Sequence, residues 1–385
     1  MQHGNDILLS LFVVFIAAQV AGQLARWLTL PGVVGEIVAG CIIGPSLLGW
    51  IAPSEPLEVL SEIGVVLLLF AVGLETRIDE MKRVGPSAFL VGVLGVIVPF
   101  VLGSLWAHGS GYDWAKSLFI AAAFVATSAG ITARVLQELG VLQREESRVI
   151  LGAAVIDDIL AMLLLGIVTA LQAGEDVHLG KLAIVLAEAV GFIVVIGLFG
   201  TRLARRSTRR LDAPDVDLLP YALALCLGLA FLSTQLGLAA IIGAFLAGMV
   251  ASETPQRERL EHQTQPLLAL MTPFFFVLTG AKIELQQLAS TEALLTLALI
   301  TAIALVSKLI GGALGALALG KRGALIVGVG MMPRGEVGVV IASLGLAAEV
   351  FSARTYALIV AMSLLTSIVT PPLLARLFKR ARAAS

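Results

Sequence analysis

From about residue 6 to residue 376 the chain is a succession of apolar runs, most of them near twenty residues long, joined by short stretches that carry nearly all the charge. At 1.5 Å per residue such a run crosses the ~30 Å hydrocarbon core of a bilayer as a helix, whereas a barrel strand needs only about ten alternating residues. The pattern predicts an all-α polytopic membrane protein. Of the 385 residues, 58% are hydrophobic and 14% charged, which excludes an ordinary water-soluble domain. The net charge of −1 gives no support to nucleic acid as a partner; the lipid bilayer is the partner this sequence requires.

Hydropathy and helix-breaker signals place thirteen transmembrane helices at 6–27, 31–49, 57–75, 86–107, 114–139, 147–172, 179–204, 217–235, 237–252, 264–282, 291–319, 322–347 and 354–376. The first lacks a basic segment before it and a cleavage site after it, so it reads as a membrane helix and not as a signal peptide. Alternate loops differ sharply in basic residues. Nineteen Lys and Arg fall on one side and four on the other, which predicts an outside N-terminus and a cytoplasmic C-terminus.

The sequence also repeats itself. Val33-Val-Gly35-Glu-Ile-Val-Ala-Gly40 in helix 2 matches Ile241-Ile-Gly243-Ala-Phe-Leu-Ala-Gly248 in helix 9, and Leu69-Phe-Ala-Val-Gly73-Leu-Glu75 matches Phe276-Val-Leu-Thr-Gly280-Ala-Lys282, at offsets of 208 and 207. Each offset spans seven helices, an odd number, so equivalent helices run in opposite directions. Inverted repeats of this kind characterise secondary transporters, whose sites lie at the midplane where the halves meet.

Midway along helix 6 stand Asp157 and Asp158, in a stretch otherwise nearly free of charge. One carboxylate at that depth costs on the order of 2.5–3.5 kcal/mol, so the pair must be protonated, matched by cations or turned to a polar cavity. Helix 5 carries Thr127, Ser128 and Gly130, and 207 residues later helix 12 carries Gly330, Pro333, Arg334, Gly335 and Glu336. Proline removes a backbone donor, glycine loosens the helix and hydroxyls compete for backbone partners, so both crossings are candidates for interruption. The alternative is a kinked helix 12 beside an intact helix 5.

These residues suit one chemistry. Sodium and lithium are hard cations that take oxygen ligands, and Asp157, Asp158, the hydroxyls of Thr127 and Ser128 and freed carbonyls can supply them. Burial and a like-charged neighbour favour a protonated carboxyl, so one such group can hold a proton or a cation near neutral pH. Lys308, deep in helix 11, supplies the opposite sign; adjacent aspartates point about 100° apart, so one can pair with it while the other faces the ion. Arg334 and Glu336 are supporting charges on helix 12, with a structural role as open to them as an ion-binding one.

The doubled aspartate, the Ala-Thr-Ser-Ala-Gly-Ile-Thr-Ala-Arg stretch at 126–134, the Ser307-Lys308 pair and the Met-Pro-Arg-Gly-Glu-Val-Gly stretch at 332–338 resemble the bacterial sodium/proton antiporters of the monovalent cation:proton antiporter superfamily, most closely the thirteen-helix electrogenic type. The resemblance implies a homodimer. Interface helices 1–3 (1–84) and 8–10 (211–290), a linker helix 7 (174–210) and a core of helices 4–6 and 11–13 (85–173 and 291–385) would make it up. The core would carry crossed, broken helices 5 and 12 and move like an elevator. It further implies that Asp158 binds the ion and the proton, that Asp157 pairs with Lys308, that Thr127 and Ser128 lie at the crossover, and that paired aspartates mark electrogenic exchange. No cofactor beyond the transported Na⁺ or Li⁺ and H⁺ is expected. Potassium/proton exchange is the alternative within transport, weakened by the short tail after Arg376 where potassium-efflux relatives usually carry a nucleotide-binding domain. A cation channel or sensor fits the repeat less well. An enzyme finds no nucleophile–base pair or cofactor fingerprint.

Overall fold

The computed structural model describes residues 2–28, 30–76, 78–172, 179–200, 202, 218–283, 285–347, 350 and 352–382, and among these there is no strand. The helices are α1 (Gln2–Trp27), α2 (Gly32–Ile43), α3 (Glu55–Leu74), α4 (Ile78–Gly109), α5 (Trp114–Val125), α6 (Ala129–Glu138), α7 (Glu145–Gln172), α8 (Leu179–Val195), α9 (Leu219–Gln235), α10 (Ala240–Ala251), α11 (Arg257–Ala281), α12 (Thr291–Gly315), α13 (Gly320–Gly330), α14 (Glu336–Ala347) and α15 (Ala353–Arg382). Eight helical stretches among the described residues are long and apolar enough to cross a membrane, and shorter apolar helices accompany them. Large side chains such as Phe12, Phe89, Leu295 and Phe231 lie exposed, as a lipid-facing surface requires.

Several helix edges differ from the sequence reading, α4 for one running from Ile78 to Gly109, and two of the differences have a clear local cause. The second helix stops at Ile43 because Gly44 is extended before Pro45, and the chain folds back so that the amides of Trp50 and Ile51 both donate to the Ile43 carbonyl at 3.0 Å. The tenth starts at Arg257, where an Arg257–Glu261 ion pair at 2.6 Å supports a polar first turn that hydropathy alone does not mark. The fifth and twelfth are interrupted, α5 from α6 at 126–128 and α13 from α14 at 331–335. Of the linker (174–210), residues 174–178, 201 and 203–210 lie outside the described residues, as do 211–217 of the second interface segment.

Packing divides the helices into two groups. In one, α3 packs on α10 and α11, α2 on α1 and α11, and α9 on α10. In the other, α4 packs on α5, α7 and α12, while α12 packs on α13 and α15. Every contact in this account maps onto another, or onto itself, when equivalent helices of the two repeats are exchanged. The repeated glycines show why. A side chain on Gly40 would run into the backbone carbonyl of Val277, and one on its counterpart Gly248 into that of Phe70. Likewise Gly280 faces the carbonyl of Ile37 and Gly73 that of Phe245, while Gly35 faces Ala21 and Gly243 faces Leu229. All three pairs of partners are related by the same offset of 207 or 208 residues. In lipid, where burial of apolar surface does not drive helices together, such close backbone approach is the main source of packing energy.

Gly40→Ala or Gly248→Ala is expected to destabilise the protein by about 1–3 kcal/mol through overpacking, whereas Gly228→Ala, with open space at its Cβ, should be neutral or slightly stabilising. Thermal unfolding of the purified protein in detergent distinguishes the two outcomes.

Candidate functional site

The site forms where the two interrupted crossings meet. Ending a helix inside a membrane protein leaves carbonyls unsatisfied at one half and amides at the other, with partial negative and positive charge respectively. At the first break α5 ends on Val125 and α6 begins after Ser128, which caps it by accepting from the Ile131 amide at 3.5 Å. The Lys308 ammonium donates to the Val125 carbonyl at the α5 end, to the Gly95 carbonyl of α4, both at 2.8 Å, and to Asp157 Oδ1 at 2.5 Å. All three of its protons are used. The other Asp157 oxygen accepts from the Thr127 amide at 3.1 Å, on the amide side of the break. Cation and carboxylate therefore each sit at the half-helix end of opposite partial charge, and both are fully buried.

The second break is bound to the first. The Ser128 amide donates to the Pro333 carbonyl at 2.8 Å, and the Thr132 hydroxyl to the Gly330 carbonyl at 2.8 Å. Gly335 admits the close approach of Ser128, whose side chain occupies the space a Cβ would need. Arg334, 0% exposed, folds its guanidinium back onto the Met332 carbonyl at 3.1 Å and across to the Ala304 carbonyl of α12 at 2.8 Å. It thus caps the carbonyl end of α13, the role Lys308 has at the end of α5. Glu336 opens α14, but its side chain lies outside the described residues.

Asp158 is 2% exposed and lies at the seam between the two helix groups. It lines a small cleft with Ala129, Leu151 and Val155 on its own side and with Leu69 of α3 and Ile241, Ile242 and Phe245 of α10 on the other. Asp157 and Asp158 thus have different surroundings, one bonded to Lys308 and the other lining the seam. The Thr127 hydroxyl is buried and has no hydrogen-bond partner among the described residues, an oxygen with lone pairs to offer a cation. A larger cavity of about 550 Å³ opens along the same seam from the end where α3 begins, past Glu58, Glu62 and Lys282, and reaches Arg334, Gly335 and Ser363. At the opposite end the seam is closed by the Gly32 amide donating to Glu138 at 2.9 Å and by Gln143 donating to the Glu75 carbonyl.

The structure therefore brings Asp157, Asp158, Thr127, Ser128, Lys308 and Arg334 to one crossing. Arg134 of α6 pairs with Glu138 at 3.1 Å, while Glu36 is buried nearby. Sequence reasoning missed Thr366 and Ser367 of α15, which bind the Arg334 peptide: its amide donates to Thr366 Oγ1 at 3.0 Å, and Ser367 Oγ donates to its carbonyl at 2.6 Å. Their only sequence signal is a run of hydroxyls, Ser363, Thr366, Ser367 and Thr370, in an apolar helix.

Removing one member of a buried ion pair strands the other. Lys308→Met or Asp157→Leu alone is expected to cost about 3–5 kcal/mol, and the double variant much less than the sum. A double-mutant cycle on thermal unfolding in detergent measures that coupling.

Comparison with known proteins bears on the family and the fold. The sodium/hydrogen exchanger transmembrane family model matches residues 10–380. The high-affinity Na⁺/H⁺ antiporter NhaS3 of Synechocystis is 35% identical, with 98% of this chain and 90% of that protein covered. The Na⁺/H⁺-K⁺ antiporter GerN of Bacillus cereus is 35% identical, with 94% of each covered. The fold matches that of the sodium proton antiporter MjNhaP1 from Methanocaldococcus jannaschii with a TM-score of 0.72, at 18% identity, over 98% of this chain and 97% of that one. The chain belongs to the sodium/hydrogen exchanger family of transmembrane proteins.

Proposed function

We propose that this protein exchanges Na⁺ or Li⁺ for protons across the bacterial inner membrane by alternating access, with Asp158 carrying either the cation or the proton. The observation that carries the reading is the unequal setting of the two aspartates. Asp157 is held by Lys308 and the Thr127 amide, whereas Asp158 faces the seam along which a cavity already opens. Asp158 supplies carboxylate oxygen, and the unpartnered Thr127 hydroxyl at the adjacent helix break is a second oxygen of the kind a hard monovalent ion takes. Loading the cation releases the proton, and reprotonation releases the cation. These ions are cargo, and no resident cofactor forms part of the proposal.

Charge counting bears on stoichiometry. With Asp157 and Asp158 ionised and Lys308 and Arg334 cationic the buried site is neutral, so it carries one positive charge with either Na⁺ or a single proton bound. One-for-one exchange then moves no net charge. Electrogenic exchange needs a second proton, for which the coupled Asp157–Lys308 pair is the available group.

The helices that contain α1–α3 and α9–α11 form the static, dimer-making part of this proposal. Those that contain α4–α7 and α12–α15 form the part that moves, with α8 as the linker. In a thirteen-crossing topology with the N-terminus outside and the C-terminus cytoplasmic, the 550 Å³ cavity faces outward and the Glu138–Gly32 contact closes the cytoplasmic side. Potassium/proton exchange is the second reading, favoured by the likeness to GerN, a Na⁺/H⁺-K⁺ antiporter.

In proteoliposomes an imposed pH gradient is expected to drive sodium and lithium movement, and Asp158→Asn to reduce it to the protein-free level while leaving thermal stability near wild type. Unaltered exchange by that variant would remove Asp158 from the mechanism. Electrogenic exchange predicts a rate that changes with an imposed membrane potential; a rate indifferent to it would show one-for-one exchange. Competition among sodium, lithium and potassium in the same vesicles separates the two cation readings.

A further inference from the structure

The two breaks are built alike down to single hydrogen bonds. At the first, the carbonyl of Val125 is capped by Lys308 and the amide of Thr127 donates to Asp157 on the following helix, α7. At offset 207 stand Met332 and Arg334: the Met332 carbonyl is capped by the Arg334 guanidinium, and the Arg334 amide donates to Thr366 on the following helix, α15. Thr366 thus has the structural place of Asp157 in the other repeat, with a hydroxyl where the first repeat has a carboxylate. Ser367, its neighbour as Asp158 is the neighbour of Asp157, donates to the carbonyl of the same Arg334. The backbone of one residue is thereby held at both its N–H and its C=O, which belong to successive peptide units.

From this we propose that Thr366 and Ser367 are positioning residues for ion exchange, fixing the second break so that the first keeps its ion-binding shape. The connection is short. Pro333, directly before the clamped Arg334, accepts from the Ser128 amide at 2.8 Å, and Ser128 follows Thr127, whose amide holds Asp157. Arg334 also reaches Ala304, one turn ahead of Lys308 on α12. Loosening the Arg334 peptide therefore shifts both the crossover backbone and the helix that carries the ammonium. The third hydroxyl of the run, Thr370, provides an internal comparison. It is equally buried, yet it donates only to the Thr366 carbonyl of its own helix.

The inference rests on the sodium/proton reading, and the experiment tells the two apart. Wild type, Thr366→Val, Ser367→Ala, Thr366→Ser and Thr370→Val are reconstituted, and the sodium KM, maximum rate and pH profile are measured beside thermal stability. Loss of one clamp bond is expected to raise the sodium KM about fivefold, in line with a typical hydrogen bond, and to displace the pH profile in Thr366→Val and Ser367→Ala. Thr366→Ser should restore wild-type values, and Thr370→Val should leave KM and profile unchanged. Wild-type exchange with unaltered KM and pH profile in folded Thr366→Val and Ser367→Ala would overturn the positioning role. An equal KM change in Thr370→Val would also overturn it, because any lost hydroxyl on α15 would then suffice. Absence of sodium–proton exchange in the wild type would overturn the underlying reading instead.

Discussion

Everything at the centre of this protein follows from one constraint: an interrupted helix out of reach of water must have its broken ends satisfied from within. The α5 and α13 ends present carbonyls, and a cation folds onto each, Lys308 on Val125 and Arg334 on Met332. The amides beyond the breaks find Asp157 and Thr366. Satisfying the first break needs two buried charges of opposite sign, and these bring a titratable pair to the middle of the membrane. Asp158 then enters beside a site whose electrostatics are already set.

The same logic explains why the site lies at a boundary between packed groups. Within each group the helices approach backbone to backbone at glycines such as Gly40, Gly73, Gly248 and Gly280, which leaves little freedom to slide. Between the groups the cleft at Asp158 is lined from the other side by the apolar side chains of Leu69, Ile241, Ile242 and Phe245. The polar contacts that do cross it, Gly32 to Glu138 and Gln143 to Glu75, lie at the end opposite the open cavity.

Much of this was legible in the chain. The apolar run length required helices, the two offsets of 207 and 208 required an inverted repeat, and the breaker residues at 126–130 and 330–335 marked both interruptions. That one of the two aspartates pairs with Lys308 followed from matching isolated charges at similar depth, a strong signal because such charges are rare in lipid, while only the family resemblance pointed to Asp157 as that one. The clamp on Arg334 was not legible. Hydroxyls in a membrane helix usually bond to their own preceding turn, as Thr370 does and as Thr366 and Ser367 do at the Ser363 carbonyl, and nothing in the residue type says which of several will also reach a neighbouring peptide. The early end of the second helix at Gly44-Pro45 and the early start of the helix at Arg257 lay at polar or proline edges, where hydropathy carries little weight.

By itself, then, the sequence determined the class of fold, the antiparallel relation of its halves and the identity of the buried charges, because lipid penalises every exception to apolarity and so makes each one conspicuous. Only the tertiary structure decided which aspartate is committed to Lys308 and which faces the seam, since adjacent residues on one helix differ only in direction. It alone also decided that the second break reproduces the first with Thr366 in place of a carboxylate, because that equivalence resides in hydrogen-bond geometry between helices far apart in the chain.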